Sequence, residues 1–595
     1  MISVSLFLFQ KKLEMKHTIL TWFFFHLLLS ANAQYHDAVW QYGAHSLAGD
    51  PRWGTFTLDF NTEPPSVYEQ DREMNFNVTG ASICDSTGNL LLYTNGCYIA
   101  NFAHLMVENG DSLNPGEISM NDCPGGLAIA QSHFFLPMPG HPGRYYLFHE
   151  NLDYHDVLIL ARMPLYYSLI DMNENNGLGK VLEKNVAIFD YPDRTFGTMT
   201  AVKHANGRDW WVVFPEKSKN RFYRFRFSPN GVEDTLVQDL LPVYPNILSN
   251  AFITFSPDGS KLARYEVTHG LYLYDFDRCT GLFEDNPVFI PLPGTSLGGG
   301  VSFSPDGRFV YLVSSTFILQ ADTWAADIAA SLDTVAVYDG FLDPSTSGLP
   351  TTFFAMQPGP DGRVYINTNN GTKYLHYIQY PNKKGDSCQV VQHGIELPFF
   401  NIFTSPHLPN YRLGPLDGSP CDTLGLDNHP LAGFRHAVDS SNSLRVIFTD
   451  NSFYQPTDWL WDFGDGSTTT LKDPLHKYDS PGTYLVCLTV SNQYDSDTFC
   501  REVTVDAPNA TEESVPQAPA IKVWPNPARS GVVVELPQPS PRPVRLVLYD
   551  ALGREVYRML SRAGDRQLFF DVSGWAGGVY FGQVEGYGFF KVVVE

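Results

Sequence analysis

Three groups of residues have the types and spacing that chemistry could use. Gly294-Thr295-Ser296-Leu297-Gly298 matches the G-x-S-x-G elbow that raises a serine nucleophile on a sharp turn. That elbow needs a strand before it and a helix after it. Here Pro291-Leu292-Pro293 precedes it, and Gly299-Gly300 leads into a strand-like run, so Ser296 lacks the elbow and any His or Asp placed to activate it. His149-Glu150 with His155 has the residue types of a zinc protease motif, but the second histidine stands at i+6. Two imidazoles share one helical face at i+4. The eight cysteines form no C-x-x-C pair and no clustered Cys/His spacing. The expectation is a chain without catalytic, cofactor-binding or metal-ligating residues.

The cysteines suit disulfides instead, if the chain reaches an oxidising compartment. Cys487 and Cys500 flank the polar stretch 491–497 between two strand-like runs and are placed to face each other across a hairpin. Such a bridge contributes ~3 kcal/mol on the loop-entropy model. Cys84 and Cys97 flank a similar hairpin and form a weaker candidate pair. Cys123, Cys279, Cys388 and Cys421 have no assignable partners.

Export is written at the N-terminus. Residues 19–29 are a nearly unbroken apolar run, preceded by Lys16-His17 and followed by Ala31-Asn32-Ala33. A basic flank, a short apolar core and a small-x-small site make a signal peptide, cleaved between Ala33 and Gln34. The run is shorter than the about 20 apolar residues a membrane span needs, and no other stretch qualifies. A signal peptide of ordinary form starts at Met15, which makes Met1 too early a start. Aromatics are 14% of the chain and charged residues only 17%, a balance suited to strands and turns. The net charge of −24 argues against nucleic acid or an anionic membrane as partner.

Between residues 34 and 413 a short motif recurs. Phe227-Ser228-Pro229-Asn230-Gly231, Phe255-Ser256-Pro257-Asp258-Gly259 and Phe303-Ser304-Pro305-Asp306-Gly307 are near-copies. Pro358-Gly359-Pro360-Asp361-Gly362 and Ala205-Asn206-Gly207 are degenerate ones. Each precedes an aromatic or β-branched run such as Phe309-Val310-Tyr311-Leu312-Val313. Strand, Asp-Gly turn and strand predict the inner half of a β-propeller blade at every copy. Spacings compatible with blades of about 40–50 residues predict seven blades, with six or eight as alternatives.

Three resemblances extend this reading. Trp40-Gln41-Tyr42-Gly43, Leu58-Asp59-Phe60, Ala81-Ser82-Ile83-Cys84-Asp85 with Gly88-Asn89-Leu90, and Gln131-Ser132 ahead of Pro137-Met138-Pro139-Gly140 resemble the propeller-like region of large Bacteroidetes surface proteins. Trp461-Asp462-Phe463-Gly464-Asp465-Gly466 and Pro481-Gly482-Thr483-Tyr484 resemble the signatures of the PKD domain, an immunoglobulin-like sandwich. That resemblance makes Trp461 and Phe463 core anchors. In the alternating strand, Tyr484, Val486, Leu488 and Val490 face inward while Cys487 faces out. Asp462 and Asp465 are read as turn caps rather than calcium ligands. Finally, Pro525-Asn526-Pro527, Asp550 with Gly553-Arg554 and Val556, Gly578-Val579-Tyr580 and the terminal Lys591-Val592-Val593-Val594 resemble the C-terminal sorting domain of type IX secretion cargo.

The expected chain is therefore all-β. A signal peptide (1–33) leads into a β-propeller of about seven blades (34–413). A linker (414–432), a PKD domain (433–506) and a second linker (507–520) follow, and a small β-sandwich sorting domain (521–595) ends the chain. The resemblances imply a secreted or cell-surface protein engaging the type IX machinery through 521–595. The propeller would present a protein- or glycan-binding face, with the PKD domain as spacer or adhesion module. The alternatives are a secreted polysaccharide- or peptide-degrading enzyme using carboxylates of the propeller funnel, and a structural or gliding-motility component.

Overall fold

A computed structural model describes residues 35–595, apart from 47–48, 151–152, 156–159, 163–164, 190–197, 217–219, 242–250, 268, 293–298, 440–441, 507–520, 551–553 and 585–586. The expected signal peptide with its cleavage residues Ala33 and Gln34, Ser296, and the expected second linker therefore lie outside the described residues. No helix among those described is long and apolar enough to cross a membrane.

Among the described residues, 35–401 fold into seven antiparallel blade sheets, each built from a consecutive stretch of chain, with two short two-stranded ribbons at 153–162 and 342–350 beside them. The first holds Val39–Ala44, Gly54–Asp59 and Ser66–Glu69, and the second holds Ala81–Cys84, Leu90–Thr94 and Ile99–Asn101. The third to seventh open with His133–Pro137, Thr200–Lys203, Ala251–Phe255, Gly300–Phe303 and Phe353–Pro358, and each adds three further main strands outward. The opening strands are neighbours around an axis. Ala81–Cys84 packs between Val39–Ala44 and His133–Pro137, and Gly300–Phe303 between Ala251–Phe255 and Phe353–Pro358. The seventh sheet returns to the first, where its outer strand Val390–Asn401 lies against Val39–Ala44 and Gly54–Asp59. This is a seven-bladed propeller. Its cores lie between blades, where continuous apolar strands such as Phe309–Val313 are buried on both faces.

The recurring turns close blades for a physical reason. In 256–259 the Ser256 hydroxyl donates to Asp258, Asp258 accepts from the Ser260 amide, and the Lys261 amide donates back to Ser256. Gly259 takes φ +73°, a left-handed conformation that glycine adopts without strain. The copy at 304–307 repeats every bond. Both copies, and those at 206–207 and 361–362, join the first and second strands of a blade. The copy at 227–231 does not. It joins Arg221–Ser228 to Gly231–Asp239, the outer pair of the fourth blade, because the same turn chemistry serves any tight hairpin.

Residues 434–505 form a two-sheet sandwich whose core is Phe448, Trp461, Phe463, Tyr478, Val486, Leu488 and Val490. Residues 522–594 form a second sandwich around Val532, Val534, Leu546, Leu548, Phe570 and Val592. The segment 414–432, expected as a linker, is tied down instead. The Leu416 amide donates to the Ala205 carbonyl, Asn428 donates to Pro415 and Asp417, and Cys421 is bonded to Cys279 of the fifth blade.

Candidate functional site

A propeller's axis is where a funnel would lie, and here the chain itself fills it. After the last blade, residues 404–414 run along the axis from the starts of the opening strands to the turns at their ends. Thr404 donates to the Asn77 carbonyl, His407 Nε2 to Met199, Asn410 to Pro257 and the Tyr411 hydroxyl to Phe135. These bonds reach the second, fourth, fifth and third blades in turn. Tyr411 is fully buried, and its ring meets His36 edge-on at 5.5 Å. Pro406 and Pro409 cannot donate to a ladder, which explains a buried segment that is no strand.

Arg412 completes the closure. Its guanidinium pairs through both terminal nitrogens with the Asp37 carboxylate, with Nη1–Oδ2 at 2.6 Å. Burial opposes the charge, but Asp37 outweighs it and holds the guanidinium more basic than usual. The first blade needs this partner. Its strand Val39–Ala44 runs opposite to the neighbouring Ala81–Cys84, since Ser82 Oγ donates to Val39 and the Cys84 amide to His36. A second strand of a blade runs in that direction, and the innermost place beside it falls to 404–414.

Among the described residues a cavity of about 20 Å3 lies beside this segment, at the face where the opening strands begin. That volume suits one or two waters. Phe252, Phe354, Phe403, Val78 and Ala130 line it, and the Gln131 amide beside it is consumed by both backbone groups of Ile253. The lining includes His407, which burial holds neutral with its pKa pulled down to about 4. Lys203 is buried further along the axis, where desolvation and then Arg278 lower its ammonium to about 8. It donates to the Gly207 carbonyl at 3.4 Å and stands 5.2 Å from the Trp210 ring centre. A lysine of that basicity can act as a nucleophile where substrate reaches it, but this one is 7% exposed.

The zinc-like histidines fall on different strands. His149 lies fully buried inside Arg144–Glu150, whereas His155 falls on a separate strand, Asp153–His155. Both nitrogens of His149 are used: Nδ1 donates to Asn114 Oδ1 at 2.6 Å, and Nε2 accepts from the Ser168 hydroxyl at 3.0 Å. His133 shares the network, accepting from Asn114 Nδ2 and donating to Ser132. Among the described residues no cluster of His, Cys, Asp and Glu has the geometry to hold a metal ion.

Three disulfides are present. Cys487 and Cys500 are direct cross-strand partners with Cα atoms 4.1 Å apart, on the outer side of the 434–505 sandwich. The pairing of Cys84 with Cys97 is corrected. Cys97 bonds Cys123, and Cys84 is a free, buried thiol packed against Ala38 and Val39. The hairpin logic fails because the buried register Cys84↔Leu90 leaves Cys97 beyond the end of the ladder, on the loop face. In the same sandwich Trp461 and Phe463 are core residues. Asp462 accepts from the Gly464 amide and Asp465 from Ser467, while Gly464 and Gly466 take φ +76° and +90°. His476 stacks on Phe463 at 4.0 Å and reaches Asp465 at 2.7 Å.

The terminal sandwich explains its own motif. The Asn526 side chain donates to the Lys591 carbonyl and accepts from the Val593 amide, clamping the final strand. Asp550 accepts from the Arg554 amide and pairs with its guanidinium. The Tyr580 hydroxyl donates to the Ala576 carbonyl, closing the turn that enters Gly578–Val584.

Comparison with known proteins agrees at both sandwiches. Residues 430–507 match the PKD domain model, and residues 522–593 match that of the secretion system C-terminal sorting domain. The pre-pro-metalloprotease PrtV of Vibrio cholerae is 37% identical over 92 residues, which are 15% of this chain and 10% of that protein. This chain thus spans about a tenth of the length of the curated relatives it matches. The solved PKD1 domain of Vibrio cholerae PrtV is 35% identical over 13% of this chain and 99% of its own, with a TM-score of 0.13. A putative 6-phosphogluconolactonase of Bacteroides uniformis covers 61% of this chain and 97% of its own, at 13% identity and a TM-score of 0.37. The sorting domain marks this chain as a secreted or outer-surface protein handled by type IX secretion.

Proposed function

We propose that the exported protein binds an extracellular protein or glycan through the propeller face at which the opening strands begin, and so serves adhesion or recognition at the surface of a Bacteroidetes cell. The observation that carries this reading is the occupied axis. A funnel enzyme needs room for substrate and carboxylates converging on it, whereas 404–414 lies along the axis bonded to four blades, and the cavity beside it is lined by no carboxylate. A rigid scaffold with shaped loops is what a binding surface requires. The proposed face has a disulfide-stapled loop, Cys97–Cys123, that presents Met120 with 72% of its surface exposed. The opposite face is engaged by the PKD domain, through Asn451 to the Asp361 carbonyl and Arg435 to Gln379.

The test is a protein and glycan array probed with the secreted protein, followed by titration of each hit. Saturable binding that weakens on Met120→Glu, with the far-UV spectrum unchanged, supports the assignment. Turnover of a polysaccharide or peptide, abolished by changing one or two propeller carboxylates, overturns it in favour of the hydrolase. Saturable binding indifferent to Met120→Glu and to other substitutions on that face would move the site elsewhere.

A further inference from the structure

Propellers face one mechanical problem, which is how the first blade is held to the last. Here the two share no strand, for every strand of the first sheet comes from residues 39–69 and every strand of the seventh from residues 353–401. Among the described residues the seam is held by a backbone hydrogen bond from the Phe400 amide to the Arg52 carbonyl at 3.1 Å, by side-chain packing such as the Trp40 and Phe60 rings on Tyr365 at 5.6 and 5.3 Å, and by the axial segment.

The PKD domain sits across this seam. Glu63 belongs to the first blade, and its carboxylate lies between Arg363 of the seventh at 3.4 Å and Arg501 of the PKD domain at 3.8 Å. Arg363 also holds Asp361 at 2.7 Å, and the Asp361 carbonyl accepts from Asn451 of the PKD domain at 2.5 Å. Arg435, 2% exposed, donates to the Gln379 carbonyl and stacks on Tyr380 of the seventh blade. Beside them Arg412 is sandwiched between Tyr35 at the N-terminal end and Phe453 of the PKD domain, at 5.3 and 4.7 Å from the ring centres. One domain thus touches both ends of the ring and the segment that fills its centre. We infer that the PKD domain is the clasp of the propeller, a part of its closure rather than a spacer hung beyond it.

Charge makes the contact mutually dependent. Glu63 and Asp361 face Arg363, Arg435 and Arg501, so removing the two PKD arginines leaves a buried acidic group short of partners on the blade side. Buried charges tolerate that poorly, whereas surface pairs do not register it. The seam should therefore loosen while the distant fourth and fifth blades stay closed.

Hydrogen exchange on the full chain reads this directly, because it reports local opening segment by segment. Arg435→Gln with Arg501→Gln should raise exchange in residues 39–69 and 353–401 by about tenfold, with residues 200–239 and 251–277 unchanged. Arg445→Gln is the control, since Arg445 is a PKD arginine paired within its own domain to Asp439 at 3.3 Å. It should leave the seam as it was. Unchanged exchange at the seam in the double variant overturns the clasp, and so does an equal rise in all seven blades. If the double variant does not accumulate as folded protein, Asn451→Ala measured in the same way decides by the same two criteria.

Discussion

At the scale of single residues, burial decides what each titratable group contributes. Asp37 and Arg412 join the two ends of the propeller chain inside the fold, and removing one partner of a buried pair strands the other. Arg412→Met should lower the unfolding free energy by about 3–5 kcal/mol. A denaturant series in which its midpoint equals that of the parent would remove Arg412 from the closure. The buried histidines give a pH signature. Burial lowers His36 and His407 to about 4, and His149 and His376 to about 3, all from an ordinary value of 6.5. The unfolded chain then binds more protons than the folded one, so stability is complete above pH 6.5 and is lost as pH falls towards 4. Each histidine should cost on the order of 1–2 kcal/mol between pH 6.5 and 5. Denaturation midpoints should drop over that interval, and His149→Asn should shallow the slope. A midpoint flat from pH 7 to 5 contradicts the buried neutral state. Little of this was legible in the sequence. Residues 404–414 carry no period and two prolines, Pro406 and Pro409, so nothing local distinguishes a buried axial segment from a surface loop.

At the scale of elements, legibility followed how locally each structure is determined. The Ser-Pro-Asp-Gly turns bond within five residues, so their sequence predicts them, and the inner hairpins at 256–259 and 304–307 appear where expected. The copy at 227–231 went to an outer hairpin because which pair of strands a turn joins depends on the whole blade. Disulfides divide in the same way. Cys487 and Cys500 are 13 residues apart on one hairpin and readable from alternation, while Cys279 and Cys421 are 142 apart and meet only because the chain recrosses the propeller. The same distinction sets their energetics. Loop entropy assigns about 3 kcal/mol to the short bridge and about 5 kcal/mol to the long one. Cys487→Ser with Cys500→Ser should lower PKD stability and leave blade exchange alone. Cys279→Ser with Cys421→Ser should cause the larger loss and open 414–432 to proteolysis. Equal protease resistance of 414–432 with and without the long bridge would mean that the hydrogen bonds to Ala205 and within the segment suffice to anchor it.

At the scale of the whole molecule, the chain divides into a body and a passport. The body, from Tyr35 to the end of the PKD domain, is bound together by the axial segment, the seam contacts and Cys279–Cys421. The terminal sandwich has its own complete core, and among the described residues an exposed pair, Lys591 with Asp386 at 3.5 Å, is its ionic contact with the propeller. A self-contained unit joined to the rest through 507–520 can be removed without disturbing what precedes it, since neither core borrows apolar residues from the other. Its match to the secretion sorting domain gives that separability a purpose in export. Mature surface protein should therefore begin at Gln34 and end within 507–520. Its thermal unfolding should coincide with the body transition of the uncut chain, within about 1 °C given how little stability a separate domain transfers. Terminal sequencing of surface material checks the ends, and calorimetry of the cut and uncut forms checks the independence. Deleting 521–595 should leave a folded body inside the cell envelope, and undiminished secretion of that deletion would show that export is addressed elsewhere. Changing Asn526 to Ala discriminates further, because it frees the last strand without touching the body: secretion should fall while the unfolding temperature of residues 35–506 holds.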